Sequence, residues 1–363
     1  MFTLSSKTKR TIGQLLPFAL IWLLSGWTFL FVEVAATTSL TDMPVGAIQL
    51  NGPILLFASI AMAVVGVLMG LVEFRFLNPL FANQSFGIRF GGKLLVYYTL
   101  LFLLILILFP IAASMELGLS VLDRQVWVKY GVYLHSLTFV STMLQLTVSL
   151  VLSLFYAEMN AFIGQKVLRN FFTGKYHTPV EEERIFMFLD MKASTTIAEQ
   201  LGHVTYFRLL RAYYRCFTEA IVAQEGEVYQ YVGDEIILSW GVVNPAAFSR
   251  CVACFFALKK ALSSQKAWFE AQFELSPSFK AGIHMGKVTT GEIGVLKKEI
   301  MFTGDVLNAT ARIQGLCNDY GVDLLLSGDV CQKLPPDLPY TPHFLGQAEL
   351  KGKVETMALY TLM

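Results

Sequence analysis

Charge is scarce in this 363-residue chain. Asp, Glu, Lys and Arg supply only 15% of it, and 28 basic against 27 acidic side chains leave a formal net charge of +1. Near-neutrality argues against a nucleic-acid binder that works through a basic surface. Cysteine is scarcer still: none precedes Cys216, and the five present (Cys216, Cys251, Cys254, Cys317, Cys331) are odd in number and lack framework spacing. That pattern excludes a disulfide scaffold and points to reduced thiols in a cytosolic domain. The lone "CVAC" at 251–254 sits in a helical-looking run with no further metal or redox partner in view, so it reads as buried helix packing. Histidine is almost missing from the first 156 residues, where His135 stands alone. A haem held by two histidines would need a second one per chain or a dimer, and the reading preferred for His135 is an interfacial position near the start of a membrane span.

Hydrophobic residues, by contrast, make up 55% of the chain and crowd into its first half. Four stretches, near 12–32, 50–72, 94–114 and 132–156, each approach the roughly 20 residues that a helix needs to cross a bilayer. A cleaved signal peptide does not fit, because the first span is long and three more follow. Lys7, Lys9 and Arg10 precede span one; Arg75, Arg89 and Lys93 fall between spans two and three; Lys166, Arg169 and Lys175 follow span four. The segment 33–49 has no Lys or Arg, and 115–129 has only Arg124 and Lys129. The positive-inside rule therefore predicts a multi-pass protein of the cell's inner membrane, with both termini and the second half cytoplasmic. Its lipid-facing helices would leave only short outer loops, so a stimulus would act within the membrane or through lipid or a partner protein. Glu33 and Glu73 lie at span ends and are expected to snorkel towards headgroups; Pro110 is expected to kink span three. Nothing in the spans spells a transport pathway. The division expected is a membrane domain over 1–156, a helical signalling linker over 157–183 and a soluble domain over 184–363.

In the soluble half, "RIFMFLDM" (184–191) is a buried-strand signal that ends on Asp190. Two strands, "GEVYQYV" and "EIILSW", flank Gly233-Asp234 as a hairpin. Helices are expected over "STTIAEQLG", "VTYFRLLRAYYRCFTEAIVAQ", 245–273 and "GDVLNATARIQGLCNDYG", with strands at "FKAGIHMG", "KVTTGEIG" and "VDLLLSG" and a closing hairpin. The order βαββαβ predicts an α+β, ferredoxin-like palm. Its first strand would lie beside the hairpin, bringing Asp190 and Asp234 to one sheet end. Two carboxylates with no evident Lys or Arg partner suit a hard divalent cation that also takes phosphate oxygens. Taken singly, either aspartate reads as a helix cap or turn residue. Asn308 and Arg312 share one helix face at i, i+4, where a carboxamide and a guanidinium could hold a ribose and a charged phosphorus centre.

Taken in order, "FLDMKAST", "YVGDE", "GIHMGKVTTGEIG", "GDVLNATAR" and "LKGK" resemble the class III adenylate/guanylate cyclase catalytic domain over about 184–363. The resemblance implies a homodimer with two interfacial sites, each holding two Mg²⁺ or Mn²⁺ ions. It makes Asp190 and Asp234 metal ligands, Asn308 the ribose-orienting amide and Arg312 the transition-state arginine. Lys351 in "LKGK" matches a phosphate-binding lysine, and Lys287 falls where the family often has a basic residue near the phosphates. Ile185 and Leu189 would be main-chain and apolar neighbours of the metal strand. The activity implied is conversion of ATP to 3′,5′-cyclic AMP and pyrophosphate, with no nucleic-acid partner.

Base selection departs from the family pattern. Gln230 stands where members usually have an adenine-reading Lys, and Met301 where Asp, Thr or Ser is usual, with Thr303 two residues on along the same strand face. Gln can still bond a base edge, whereas Met cannot. GTP or a pyrimidine nucleotide is the alternative substrate, and a degenerate nucleotide-sensing module the alternative role. "GDE" at 233–235 also resembles the diguanylate cyclase signature, but Val232 and Ile236 replace its first glycine and its phenylalanine.

Overall fold

The computed structural model describes residues 5–37, 47–81, 84–349 and 356–363. Internal packing divides the chain into one unit over Thr8–Arg169 and another from Asn170 onward. The first is built from α1 (Ser6–Thr37), α2 (Gly52–Val72), α3 (Asn78–Phe81), α4 (Phe86–Leu117), α5 (Arg124–Leu134) and α6 (Leu137–Ile163), followed by α7 (Gln165–Thr173). Among the described residues, four helical stretches are long and apolar enough to cross a membrane: Ser6–Ala35, Gly52–Phe81, Gly87–Leu117 and Leu137–Ile163. Pro110 lies inside α4, as expected.

Two features of this unit differ from the sequence reading. Span four starts at Leu137 rather than 132, because Ser136 caps α6 by accepting from the Phe139 amide and His135 closes the separate helix α5. That helix buries Val126, Tyr130 and Tyr133, with Tyr133 stacked on Phe109 at 4.0 Å between ring centroids. Glu73, expected to reach for headgroups, is 1% exposed. It lies in a π-helical turn, Glu73–Leu77, that joins α2 to α3. Lys93 on α4 donates to its Oε1 at 2.5 Å and to Asn78 Oδ1 at 2.8 Å, and the Tyr97 hydroxyl donates to its other oxygen. A buried carboxylate persists only when paired and hydrogen-bonded, and the partner that permits it lies 20 residues downstream.

The second unit contains β1 (Val180–Met191), α8 (Ser194–Ala223), β2 (Glu227–Val232), β3 (Glu235–Gly241), α9 (Ala246–Ser264), α10 (Lys266–Phe273), β4 (Phe279–Ile293), β5 (Glu299–Thr303), α11 (Asp305–Gly315), β6 (Leu324–Ser327), α12 (Gly328–Cys331), β7 (Pro342–Glu349) and β8 (Thr356–Leu362). One mixed sheet runs β2-β3-β1-β4-β6-β8-β7, with β5 paired to β4. The βαββαβ palm is therefore present. The two strands expected over 279–293 are one long strand, and Gln265 divides the expected helix over 245–273 in two. Gly202, at φ 71°, breaks α8 between its two expected halves.

The unbroken apolar run of β1 reflects burial on both faces. Ile185, Met187 and Leu189 face a core shared with α8 and α9, while Phe186 and Phe188 pack with Ile237, Val288, Phe302 and Val306 on the other side. Cys251 and Cys254 are buried in the first of these cores, where burial pushes the Cys254 thiol up to about 12.

Removing one member of the Glu73–Lys93 pair should be far worse than removing both. Lys93→Met is expected to cost about 3–5 kcal/mol by leaving an unpaired buried carboxylate, read as lost thermal stability in detergent. Glu73→Leu combined with Lys93→Met should recover most of it; a fully stable single variant would contradict the pairing.

Candidate active site

Asp190 occupies the last turn of the pleat before β1 ends, and the sheet register sets Glu235 of β3 on one side of it and Lys280 of β4 on the other. The β2–β3 connection is the two-residue loop Gly233-Asp234, closed by the Val232–Glu235 pair. Gly233 has φ 63°, a conformation open to glycine at little cost and the one a tight hairpin of this kind needs at its first central position. Asp234 is thereby delivered to Asp190. The two carboxyls lie within hydrogen-bonding reach, and Asp190 is pushed up to about 6. Burial is the main cause, followed by the hydrogen bond with Asp234 and repulsion from it; Lys280 and the Gln314 amide oppose the rise. Glu235 is pushed up to about 7 by burial and then by the charges of Asp190 and Asp234.

The carboxylates are not free of basic partners, contrary to the premise drawn from the sequence. Lys280 Nζ stands 3.8 Å from Asp190 Oδ2, and Gln314 Nε2 of α11 donates to the same oxygen at 3.2 Å. Lys280 is the residue that sequence reasoning missed: its link to Asp190 is a cross-strand register, invisible in linear spacing. It also lines a cleft of about 290 Å³ with Asp190, Met191, Lys192, Ser194, Thr195 and Asn318. The amino end of α8 opens into that cleft without a side-chain cap, after Ala193 in the left-handed region at φ 53°. Two lysines, two hydroxyls and uncapped helix amides make it a place for a polyanion.

Among the described residues, no three His, Cys, Asp or Glu side chains gather as a cage for a metal ion. Two adjoining carboxylates at an open rim nevertheless fit an Mg²⁺- or Mn²⁺-type ion, which keeps water and substrate oxygens in its shell.

The other expected site residues are distributed as follows. Asn308 is exposed and Arg312 half-buried on α11. Among the described residues, neither side chain makes a hydrogen bond or ion pair within the chain. At 100° per residue, Arg312 and Gln314 are about 200° apart around the helix, so Arg312 points away from the carboxylates that Gln314 touches. Gly282 seats this helix directly on β4: a Cβ there would lie 2.4 Å from the Gln314 amide nitrogen. Lys287 pairs with Glu183, seven residues along β1 from Asp190, or about 23 Å at strand spacing. It lines a separate cleft of about 270 Å³ with His284, Asp305 and Asp329, so one chain does not bring it to Asp190. Gln230 is exposed on β2, Met301 and Thr303 are exposed on β5, and those two strands meet where the Phe302 amide donates to the Tyr229 hydroxyl at 3.3 Å. Lys351 lies outside the described residues.

Because folding raises the Asp190 pKa, the chelated protein holds that proton more tightly than the unfolded chain does. Its stability from this group is complete below the ordinary carboxyl range and falls as pH rises through about 6. Asp190→Asn should then raise the unfolding temperature in EDTA at pH 7.5 by about 2–4 °C, the equivalent of about 1 kcal/mol after solvent screening. The gain should vanish near pH 4, and Mn²⁺ should stabilise only the wild type. Equal melting of both proteins at pH 7.5 would refute the repulsion.

Residues 178–363 match the family model described as "Adenylate and Guanylate cyclase catalytic domain". Adenylate cyclase 2 of Rhizobium meliloti (strain 1021) is 29% identical over 209 residues, 58% of each chain. Adenylate cyclase of Anabaena cylindrica is 26% identical over 178 residues, 48% of this chain and 35% of that one. The chain thus spans little more than half of the first relative's length and about a third of the second's. The solved structure of a bacterial light-regulated adenylyl cyclase shares the fold at a TM-score of 0.52 and 21% identity, covering 62% of this chain and 64% of its own. With a model match over half its length, and with the paired aspartates, the hairpin turn and the Asn-Arg helix in family order, the chain belongs to the class III adenylate and guanylate cyclases.

Proposed function

We propose that the protein is a membrane-anchored nucleotidyl cyclase that converts ATP to 3′,5′-cyclic AMP and pyrophosphate at the interface of a homodimer. One observation carries this reading: Asp190 and Asp234 converge at one sheet end, while Arg312 lies about 200° around α11 from the Gln314 that touches Asp190, and neither Asn308 nor Arg312 has a partner among the described residues. A second copy, related by two-fold symmetry, supplies the missing half of each site. In this reading Asp190 and Asp234 hold two Mg²⁺ or Mn²⁺ ions. When bound, the metal acidifies the ribose 3′-hydroxyl and neutralises phosphate charge. The cleft walled by Lys192 and Lys280 receives the triphosphate, and Lys351 is assigned to phosphate binding from its family motif alone. Asn308 of the other copy orients the ribose by bonding its ring oxygen or hydroxyl. Arg312 stabilises the extra charge on the α-phosphoryl oxygens as the 3′-oxygen attacks and pyrophosphate leaves.

ATP is placed first because both relatives described above are adenylate cyclases. The second reading, another base, is favoured by one specific observation: Gln230 and Met301, both exposed, stand at the expected base-reading positions. The four apolar helices anchor the protein in the inner membrane with its catalytic half cytoplasmic. Residues 1–156 form the membrane domain, 157–183 the linker and 184–363 the catalytic domain.

Purified protein incubated with Mn²⁺ and each of ATP, GTP, CTP and UTP, with products resolved by mass, should yield cyclic AMP from ATP. A different product set transfers the assignment to another base, and no cyclic product at all sinks the reading. Asp190→Ala and Asp234→Ala should each abolish turnover. Arg312→Ala should lower kcat by about 10²–10³ with little change in KM. Mixing Asp190→Ala with Arg312→Ala chains should restore roughly one quarter of wild-type activity if pairing is random; no restoration would exclude sites shared between chains.

A further inference from the structure

The turn that carries Asp234 is held from behind by a single hydroxyl. Tyr214, on α8, donates to the Gly233 carbonyl at 2.9 Å, and the Glu235 carbonyl lies 3.3 Å from the same oxygen as a second acceptor. The two carbonyls are those on either side of Asp234. Its ring leans on Tyr231, the next-to-last residue of β2, with centroids 4.6 Å apart. Burial pushes the Tyr214 phenol well above its ordinary range, so the hydroxyl keeps its proton and remains a donor.

The loop needs such support. It has only two residues, one a glycine at positive φ, and it stands at the open rim of the sheet. It also sets where the Asp234 carboxylate stands relative to Asp190, so any give in the turn moves one carboxylate of the pair away from the other. A bond to the backbone on both flanks of Asp234 opposes that motion without touching the carboxylate.

We propose that Tyr214 is a positioning residue for the divalent-cation site, holding the Gly233–Glu235 backbone so that the Asp234 carboxylate stays aimed at Asp190. The inference rests on the proposed role of Asp190 and Asp234 as cation ligands. It assigns to Tyr214 no contact with substrate or metal. Its effect is on the free energy of arranging the ligands before the ion arrives, so it acts on metal affinity more than on the rate of the loaded enzyme.

The test uses the full chain in detergent and Mn²⁺ itself as probe, followed by electron paramagnetic resonance. Tyr214→Phe keeps the ring and removes only the hydroxyl. Its Mn²⁺ dissociation constant should rise about tenfold, with the unfolding temperature within 2 °C of wild type. With ATP present, the Mn²⁺ concentration for half-maximal activity should rise in parallel while kcat at saturating Mn²⁺ stays within twofold. Tyr231→Phe, which deletes a neighbouring hydroxyl that makes no hydrogen bond to the turn, should leave the Mn²⁺ affinity unchanged. The assignment is overturned if Tyr214→Phe binds Mn²⁺ as wild type does. It is also overturned if affinity falls only alongside stability, or equally in Tyr231→Phe. A wild-type protein that binds no Mn²⁺ overturns the cation-site reading first, and the wild-type titration alone reveals that outcome.

Discussion

Asp190 and Asp234 repel each other, and most of the catalytic unit serves to keep them together regardless. β1 is anchored on both edges and both faces, so Asp190 near its end cannot retreat. The two-residue turn leaves Asp234 no slack, and Tyr214 fastens that turn to α8. Burial first, and then the neighbouring carboxylates, raise the pKa of Asp190 and of Glu235 beside it. Lys280 and Gln314 relieve the repulsion only in part, as both act on one oxygen of Asp190. What remains is a half-buried group of carboxyls at an open rim, the kind of donor set that a small divalent cation suits. Perturbed carboxyl pKa values of this kind cluster at functional sites.

The N-terminal helical unit solves a similar problem in the opposite way. Glu73 is also a buried carboxylate, but it is fully satisfied within the chain by Lys93 and Tyr97. A π-helical turn shifts the helix phase there, so that Glu73 meets α4. Elsewhere the helices share an apolar core that includes Phe18, Trp22, Val65, Met69, Leu101 and Leu150, and small polar contacts lie within it. The Trp22 indole donates to Ser153 at 2.9 Å, and Ser25 and Ser149 hydroxyls lie 2.6 Å apart, both between α1 and α6. One buried charge is thus closed and structural, the other open and available.

Which of these features the sequence revealed follows from how far apart the participants lie. The palm, the apolar run of β1 and the Gly233-Asp234 turn were legible because strand burial and turn chemistry are local. Asp190 and Asp234 came with them, as each ends or joins a recognisable strand. Lys280 and Glu73 were not legible. Each takes its meaning from a partner fixed by register or helix packing, 90 residues away for Lys280 and 20 for Glu73. Lys287 shows the converse: motif adjacency put it near the phosphates, while the antiparallel register carries it to the far end of β1 within the chain. Helix α5 did carry a local signal, with Asp123 as cap and Trp127, Tyr130 and Leu134 at helical spacing. The sequence reading divided that run between an outer loop up to 129 and a span starting near 132, because the apolar residues of α5 continue into those of α6.

Helix α11 imposes the last constraint. Gln314 on one side touches Asp190 of its own chain, and Arg312 on the other side is left for a second copy in the proposed dimer. The helix cannot slide or roll without moving β4, because Gly282 lets its backbone rest on that strand with no side chain between. β4 in turn carries Lys280 to the cleft. Any displacement of α11 therefore alters the support of Asp190 and Lys280 in one site and the placement of Arg312 in the other. In a symmetric pair the two sites are then mechanically joined through two copies of one rigid helix–strand contact. A stimulus that rotates one copy against the other would change both sites together, and in the same sense.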